Sequence, residues 1–190
     1  MTGRRPPTAV SPARRRVLAS AGALASAGLA GCLGSGVDAE PAEPIALIDG
    51  QTCDVCGMTI ADHFGPAGQI FYADDKPDGR DGPAWFDSVV ELLSYAARRD
   101  ARGWTTRGTF VTDYSSVDYD LVDRSRTTYI STHVAAAAFA DATDCFYVVD
   151  SDVRGAMGED YFPFSEYEEA TTFADEHAGT VRQWEHLADR

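Results

Sequence analysis

Apolar and polar positions alternate in two distinct rhythms along this chain, and the rhythms mark out its elements. Residues 68–73 (GQIFYA) form an apolar run of strand length. A polar, turn-rich loop follows (74–82, DDKPDGRDG). Ser88 and Glu91 then have the Ser-x-x-Glu spacing of a capping box, and Val89, Leu92, Leu93 and Ala96 fall on one helical face. A helix is therefore expected over 88–100, with Gly103 beyond its end. Residues 105–114 and 127–132 alternate as strands do, and 144–151 (DCFYVVDS) reads as a buried strand. The second helix is expected over 165–178. Ser165 and Glu168 repeat the capping spacing, Tyr167, Ala170, Phe173, Ala174 and His177 supply the stripe, and Gly179 supplies the C-cap. A closing strand is expected over 180–187. Each helix follows an aromatic pair beside a proline (Pro83, Trp85, Phe86; Phe162, Pro163, Phe164). The pattern predicts an α+β fold in which a strand–helix–strand unit occurs twice.

The first 44 residues follow neither rhythm. A basic cluster, Arg14-Arg15-Arg16, precedes an Ala- and Gly-rich apolar run from Val17 to Ala30. That run is too short and weakly apolar for a spanning helix, which needs roughly 20 strongly apolar residues. It has the layout of a signal peptide with a twin-arginine cluster. The run ends Leu29-Ala30-Gly31-Cys32, which resembles a lipobox, so Cys32 is the expected lipidation site. The organisation read from the sequence is a lipoprotein signal over 1–31, a flexible acidic tether over 32–49 and a folded domain over 50–187, with subunits of about 50–115 and 116–187.

Charge narrows the partners. The chain has 190 residues, with 30 Asp and Glu against 16 Lys and Arg. All five basic residues before position 31 lie in the signal segment, where no acidic residue occurs. The rest has 11 basic and 30 acidic side chains, a formal charge of −19. Such a surface repels nucleic acid and anionic lipid. It suits high salt, as in a halophile, and it also attracts cations or a basic partner.

The chemistry is concentrated in residues 51–72 (QTCDVCGMTIADHFGPAGQIFY), where Cys53, Cys56 and Met58 lie within six residues. Three readings are open. A Cys-x-x-Cys disulfide closes too short a loop to constrain the unfolded chain much, but the pair could serve thiol–disulfide exchange. A zinc knuckle needs four ligands, and Cys145 with one of four scattered histidines would have to complete it. Cu(I) accepts two or three soft donors, thiolate and thioether among them. Cys56-Gly57-Met58 offers both, two residues apart, around a glycine that lets the backbone turn tightly. The third methionine of the chain, Met157, lies in another Gly-flanked loop (VRGAMGED), and His63 could add a nitrogen. Triads, phosphate-binding glycine loops and paired-carboxylate signatures are missing, so no catalysis is expected.

The segments CDVCGMTIADHFGPAGQIFY, WFDSVVELLSY, VTDY and CFYVVDSDVRGAMGEDYFPF…EEATTFADEHAGTV together resemble the NosL family, over about residues 50–186. These are membrane-anchored accessory lipoproteins of nitrous oxide reductase assembly. The resemblance implies two ββα-type units, related to the treble clef, in one compact domain. It implies a Cu(I) metallochaperone, one ion per chain, with apo-nitrous oxide reductase as its partner. By that likeness Cys56 and Met58 are the leading ligands and Met157 follows. Cys53 and His63 complete the candidate set. Where relatives have a His soon after the Met-Gly, this chain has Glu159-Asp160.

Overall fold

The computed structural model describes residues 41–187. The expected signal segment, the twin-arginine cluster and Cys32 lie outside the described residues. The apolar run after the cysteine-rich segment forms β1 (Gly68–Tyr72). β2 (Ala84–Phe86) pairs antiparallel with it and leads into α1 (Val89–Asp100). The chain then returns as β3 (Thr106–Thr112) on the other edge of β1. A hairpin of β4 (Leu121–Arg124) and β5 (Thr127–Ile130) follows, then β6 (Phe139–Asp141), which joins β3. β7 (Phe146–Val149), β8 (Val153–Arg154), β9 (Phe162–Phe164), α2 (Tyr167–Glu176) and β10 (Thr180–Gln183) complete the order.

The duplication expected from the sequence is present as topology. In the first half the central strand β1 is flanked by β2 before α1 and β3 after it, all antiparallel. In the second half the central strand β7 is flanked by β9 before α2 and β10 after it, again antiparallel. β4, β5 and β8 form a third small sheet, in which β5 and β8 run parallel.

β7 also explains why its sequence is apolar at every position. Tyr147 and Val149 point into the core that holds Ile70, Phe86, Leu92 and Val111. Val148, on the opposite face, points into the core that holds Phe162, Phe164 and Phe173. A strand with a core on each side needs no polar alternation.

Three expectations are corrected. Residues 41–49, expected to be the second half of a tether, are docked. Leu47 is fully buried and its N–H donates to Val134 O at 2.8 Å. The buried amide of Gln69 brackets Ile45, donating to its carbonyl at 2.7 Å and accepting from its N–H at 3.1 Å. A buried Gln without such partners would be costly, so the strand and the docked segment require each other. The second helix starts after Glu166, not at Ser165, and no side chain caps it. The Ser165 N–H instead donates to Asp113 Oδ1 at 2.8 Å. At its far end the helix stops at His177, and the left-handed turn begins at Ala178 (φ 54°) before Gly179. Among the described residues, no helix is long and apolar enough to cross a membrane.

Candidate metal centre

The segment before β1 folds into a knuckle. The Gly57 N–H donates to Cys53 O and the Cys53 N–H donates to Met58 O, both at 2.9 Å. A turn this tight needs a left-handed residue, and Gly57 takes φ 77°. The knuckle is pinned to β2 at its second residue. The Asp54 N–H donates to Trp85 O at 2.8 Å, and the Asp54 carboxylate accepts from the Trp85 N–H at 2.8 Å. That carboxylate also accepts two bonds from the Arg80 guanidinium, one of them at 2.9 Å. The guanidinium lies 4.0 Å over the Trp85 ring. The polar loop 74–82 thus supplies the clamp that holds the cysteines in place.

Pinned in this way, the knuckle faces the N-terminal turn of α1. Cys53 Sγ donates to Glu91 Oε2 at 3.0 Å, and Cys56 Sγ lies 3.4 and 3.5 Å from the two oxygens of Asp87. One donor atom from each of the four residues lies within 4.8 Å of all the others. Cys53 and Asp87 are buried, and Cys56 and Glu91 are half-buried. All three cysteines among the described residues are free thiols.

Charge in this cluster is finely opposed. Burial pushes the Cys53 thiol well above its ordinary range, and its hydrogen bond to Glu91 pushes the same way. The N–H groups of Cys56, Asp87 and Val55 pull it back down. Burial likewise raises Cys56, against the pull of the Met58 N–H and the Cys53 thiol. Glu91 is raised, first by burial. Each thiol thus lies beside a carboxylate, with backbone N–H groups aimed at sulfur. Thiolate is the form that ligates metal. An entering cation must expel the thiol protons, and the two carboxylates are their nearest acceptors.

The structure gathers two of the sequence-predicted residues, Cys53 and Cys56, into one donor group. Met58 is half-buried at the end of the knuckle, held through its backbone. His63 ends the 3-10 turn Ile60–Asp62 and is not in the four-residue donor group. Met157 is half exposed in a turn closed by paired Gly155 and Gly158. The loops of His63 and Met157 meet at Gly65 and Gly155, where a Cβ on Gly65 would come within 2.7 Å of the Gly155 Cα. Cys145, a possible fourth zinc ligand in the sequence, is buried just before β7 and bonded to Asp141 O, its thiol pushed up to about 12 by burial. The fourfold donor set is completed instead by Asp87 and Glu91. Glu91 had a visible signal, the Ser88 capping spacing, but only half of that box forms. Ser88 Oγ accepts from the Glu91 N–H at 3.3 Å, while the Glu91 side chain turns to Cys53. Asp87 had none.

Residues 44–190 match the model of the NosL family. A relative from Stutzerimonas stutzeri, described as the copper-binding lipoprotein NosL, is 29% identical over 164 residues, 86% of this chain and 76% of the relative. Among solved structures, the copper chaperone NosL from Shewanella denitrificans has a TM-score of 0.60 at 22% identity, covering 77% of this chain and 96% of that one. At that identity the likeness is one of fold.

Proposed function

The chain belongs to the NosL family, and from that membership we propose that it is an extracytoplasmic Cu(I) metallochaperone that supplies nitrous oxide reductase. The observation that carries this reading is the convergence of the Cys53 and Cys56 sulfurs at one sheltered point, with Met58 closing the same knuckle. Soft thiolate and thioether donors suit Cu(I). Cys56 and Met58 are the leading ligands, Cys53 joins them, and Met157 and His63 complete the candidate set. One ion is carried per chain. A relative is described as a copper-binding lipoprotein, and the twin-arginine cluster and Cys32 support export and a lipid anchor on the outer face of the membrane. Thiol–disulfide exchange is disfavoured, because such enzymes lower the pKa of the attacking cysteine and both thiols here are raised.

The test is Cu(I) titration against a competing chelator. Cys56→Ser should weaken binding by about a hundredfold or more, and Met58→Ala by about tenfold, each tenfold being 1.4 kcal/mol. Wild-type affinity in both variants would remove the Cys-Gly-Met site. A strain lacking the gene should make nitrous oxide reductase that is poor in copper. A fully active enzyme under limiting copper would count against delivery. One observation favours a second reading. Two thiols and two carboxylates supply four donors, the number that a structural zinc site takes. One tightly held equivalent of zinc after expression under reducing conditions, resistant to Cu(I) competition, would establish that reading instead.

A further inference from the structure

The acidic surface of this protein is interrupted along one side of α1. Val90, Leu93 and Ala97 follow one another at helical spacing and line a groove of about 460 Å³. Its other wall is Tyr161, Trp184 and Leu187. Leu93, Tyr161 and Trp184 pack their inner sides on the core, while Val90 is 37% exposed at the groove's beginning. Among the described residues, the charged side chains lining it are Asp100, at the C-terminal end of α1, and Glu185. In a chain of net charge −14, an open apolar trough of this kind marks a place of contact. Its volume lies in the range of binding pockets, roughly 300–1,000 Å³, with room for the apolar anchors of a helix laid in a groove.

Position and charge together say what belongs there. The groove starts at Val90, the residue next to Glu91 of the metal centre. A segment seated in it lies beside the first turn of α1, which carries Glu91 and follows Asp87. A second exposed apolar side chain, Val55 at 42% exposure, sits between the two cysteines themselves. The carboxylates at Asp100 and Glu185, within an acidic surface, call for basic groups on the occupant.

We propose that this groove is the docking site for the protein that receives the metal. The receiving protein inserts an apolar segment against Val90, Leu93 and Ala97 and sets basic side chains against Asp100 and Glu185. The proposal rests on the copper-delivery reading above.

The test uses the full chain loaded with Cu(I) and copper-free nitrous oxide reductase as the acceptor. Val90→Arg and Ala97→Arg put positive charge in the groove, and Tyr167→Arg, at an exposed apolar residue of α2 outside the groove, is the control. Both groove variants should slow transfer to the reductase by about tenfold or more while chelator-measured Cu(I) affinity stays within about twofold. The control should transfer as wild type does. Adding reductase should also change the emission of Trp184, read as the difference between wild type and Trp184→Phe. Transfer at the wild-type rate by folded groove variants would overturn the proposal and leave copper binding standing. So would groove variants that abolish a dimer of this chain without slowing transfer, because the occupant would then be a second copy. If wild type binds no Cu(I), the delivery reading falls, and the Trp184 difference signal alone decides whether the reductase occupies the groove.

Discussion

Gly57 shows how much of the metal centre depends on one backbone angle. Its φ of 77° closes the turn that brings Cys56 and Met58 back over Cys53. A Cβ there would meet nothing within 4 Å, so Gly57→Ala adds backbone strain without a clash. The left-handed conformation costs an ordinary L-residue about 1–2 kcal/mol. Gly103, after α1, has nearly the same angle, 82°, and equally open surroundings, but no part in the knuckle. Gly57→Ala and Gly103→Ala should therefore lose similar stability in denaturant melts, about 1 kcal/mol. Only Gly57→Ala should also weaken Cu(I) binding, as the knuckle relaxes and the sulfurs separate. Equal Cu(I) affinity in the two variants would mean that the metal does not use the knuckle geometry. This residue was legible in the sequence, because Cys56-Gly57-Met58 is contiguous. Glu91 was legible only as a helix cap, and Asp87 not at all. They reach the cysteines across 31 and 38 residues of chain, and no local spacing reports such a meeting.

At the scale of elements, the joint between α1 and the loop that carries Met157 rests on Asp160. Its buried Oδ1 accepts from the N–H groups of Val89 at 3.0 Å, Val90 at 3.3 Å and Tyr161 at 2.9 Å. A carboxylate at a helix N-terminus meets the positive end of the dipole. Burial nevertheless outweighs these bonds and raises Asp160 to about 7. An unfolded Asp titrates near 3.9. Between those values the folded chain holds a proton that the unfolded chain has lost, so stability falls as pH rises from about 4 to about 7 and then levels. Acidifying from about pH 7 to about pH 5 should stabilise wild type relative to Asp160→Asn by on the order of 2 kcal/mol. Comparing the two proteins at each pH removes the background from other carboxylates. Parallel pH profiles would show that Asp160 is ionised throughout. The same scale shows what sequence periodicity can and cannot find. Both helices and the longer strands were legible, because several residues repeat each period. β2, β6 and β9 have three residues and β8 has two, too few for a period-2 signal. Pro163 within β9 further disguises it, and is tolerated because β9 is an edge strand. The docking of 41–49 was hidden for another reason, since its partners, Gln69 on β1 and Val134, lie far from it along the chain.

For the molecule as a whole, the dominant fact is an acidic surplus that its few basic groups cannot offset locally. Arg80 is committed to Asp54, Arg154 lies 3.9 Å from Glu159, and Arg99 is stacked between Tyr95 and Trp104. An exposed pair such as Arg154–Glu159 contributes little, about 0–1 kcal/mol, and the single buried clamp at Asp54 leaves the repulsion of the net charge largely in place. Folding brings those carboxylates closer together than in the extended chain, and self-repulsion then works against the compact state. Salt removes that penalty by shortening the Debye length from about 10 Å at 0.1 M to about 3 Å at 1 M. Raising potassium chloride over that range should raise the melting midpoint by at least about 5 °C, since each kcal/mol moves Tm by about 2–4 °C in a chain of this length. The same experiment with an uncharged osmolyte separates screening from strengthened burial, which osmolytes also produce. A Tm that rises with the osmolyte but not with the salt would show that the acidic surface is not self-repelling in the folded state. Screening acts on exposed charge and spares the sheltered centre. Copper affinity should therefore change far less than stability over the same range, and docking on the groove beside α1 should weaken with salt only through the contacts at Asp100 and Glu185.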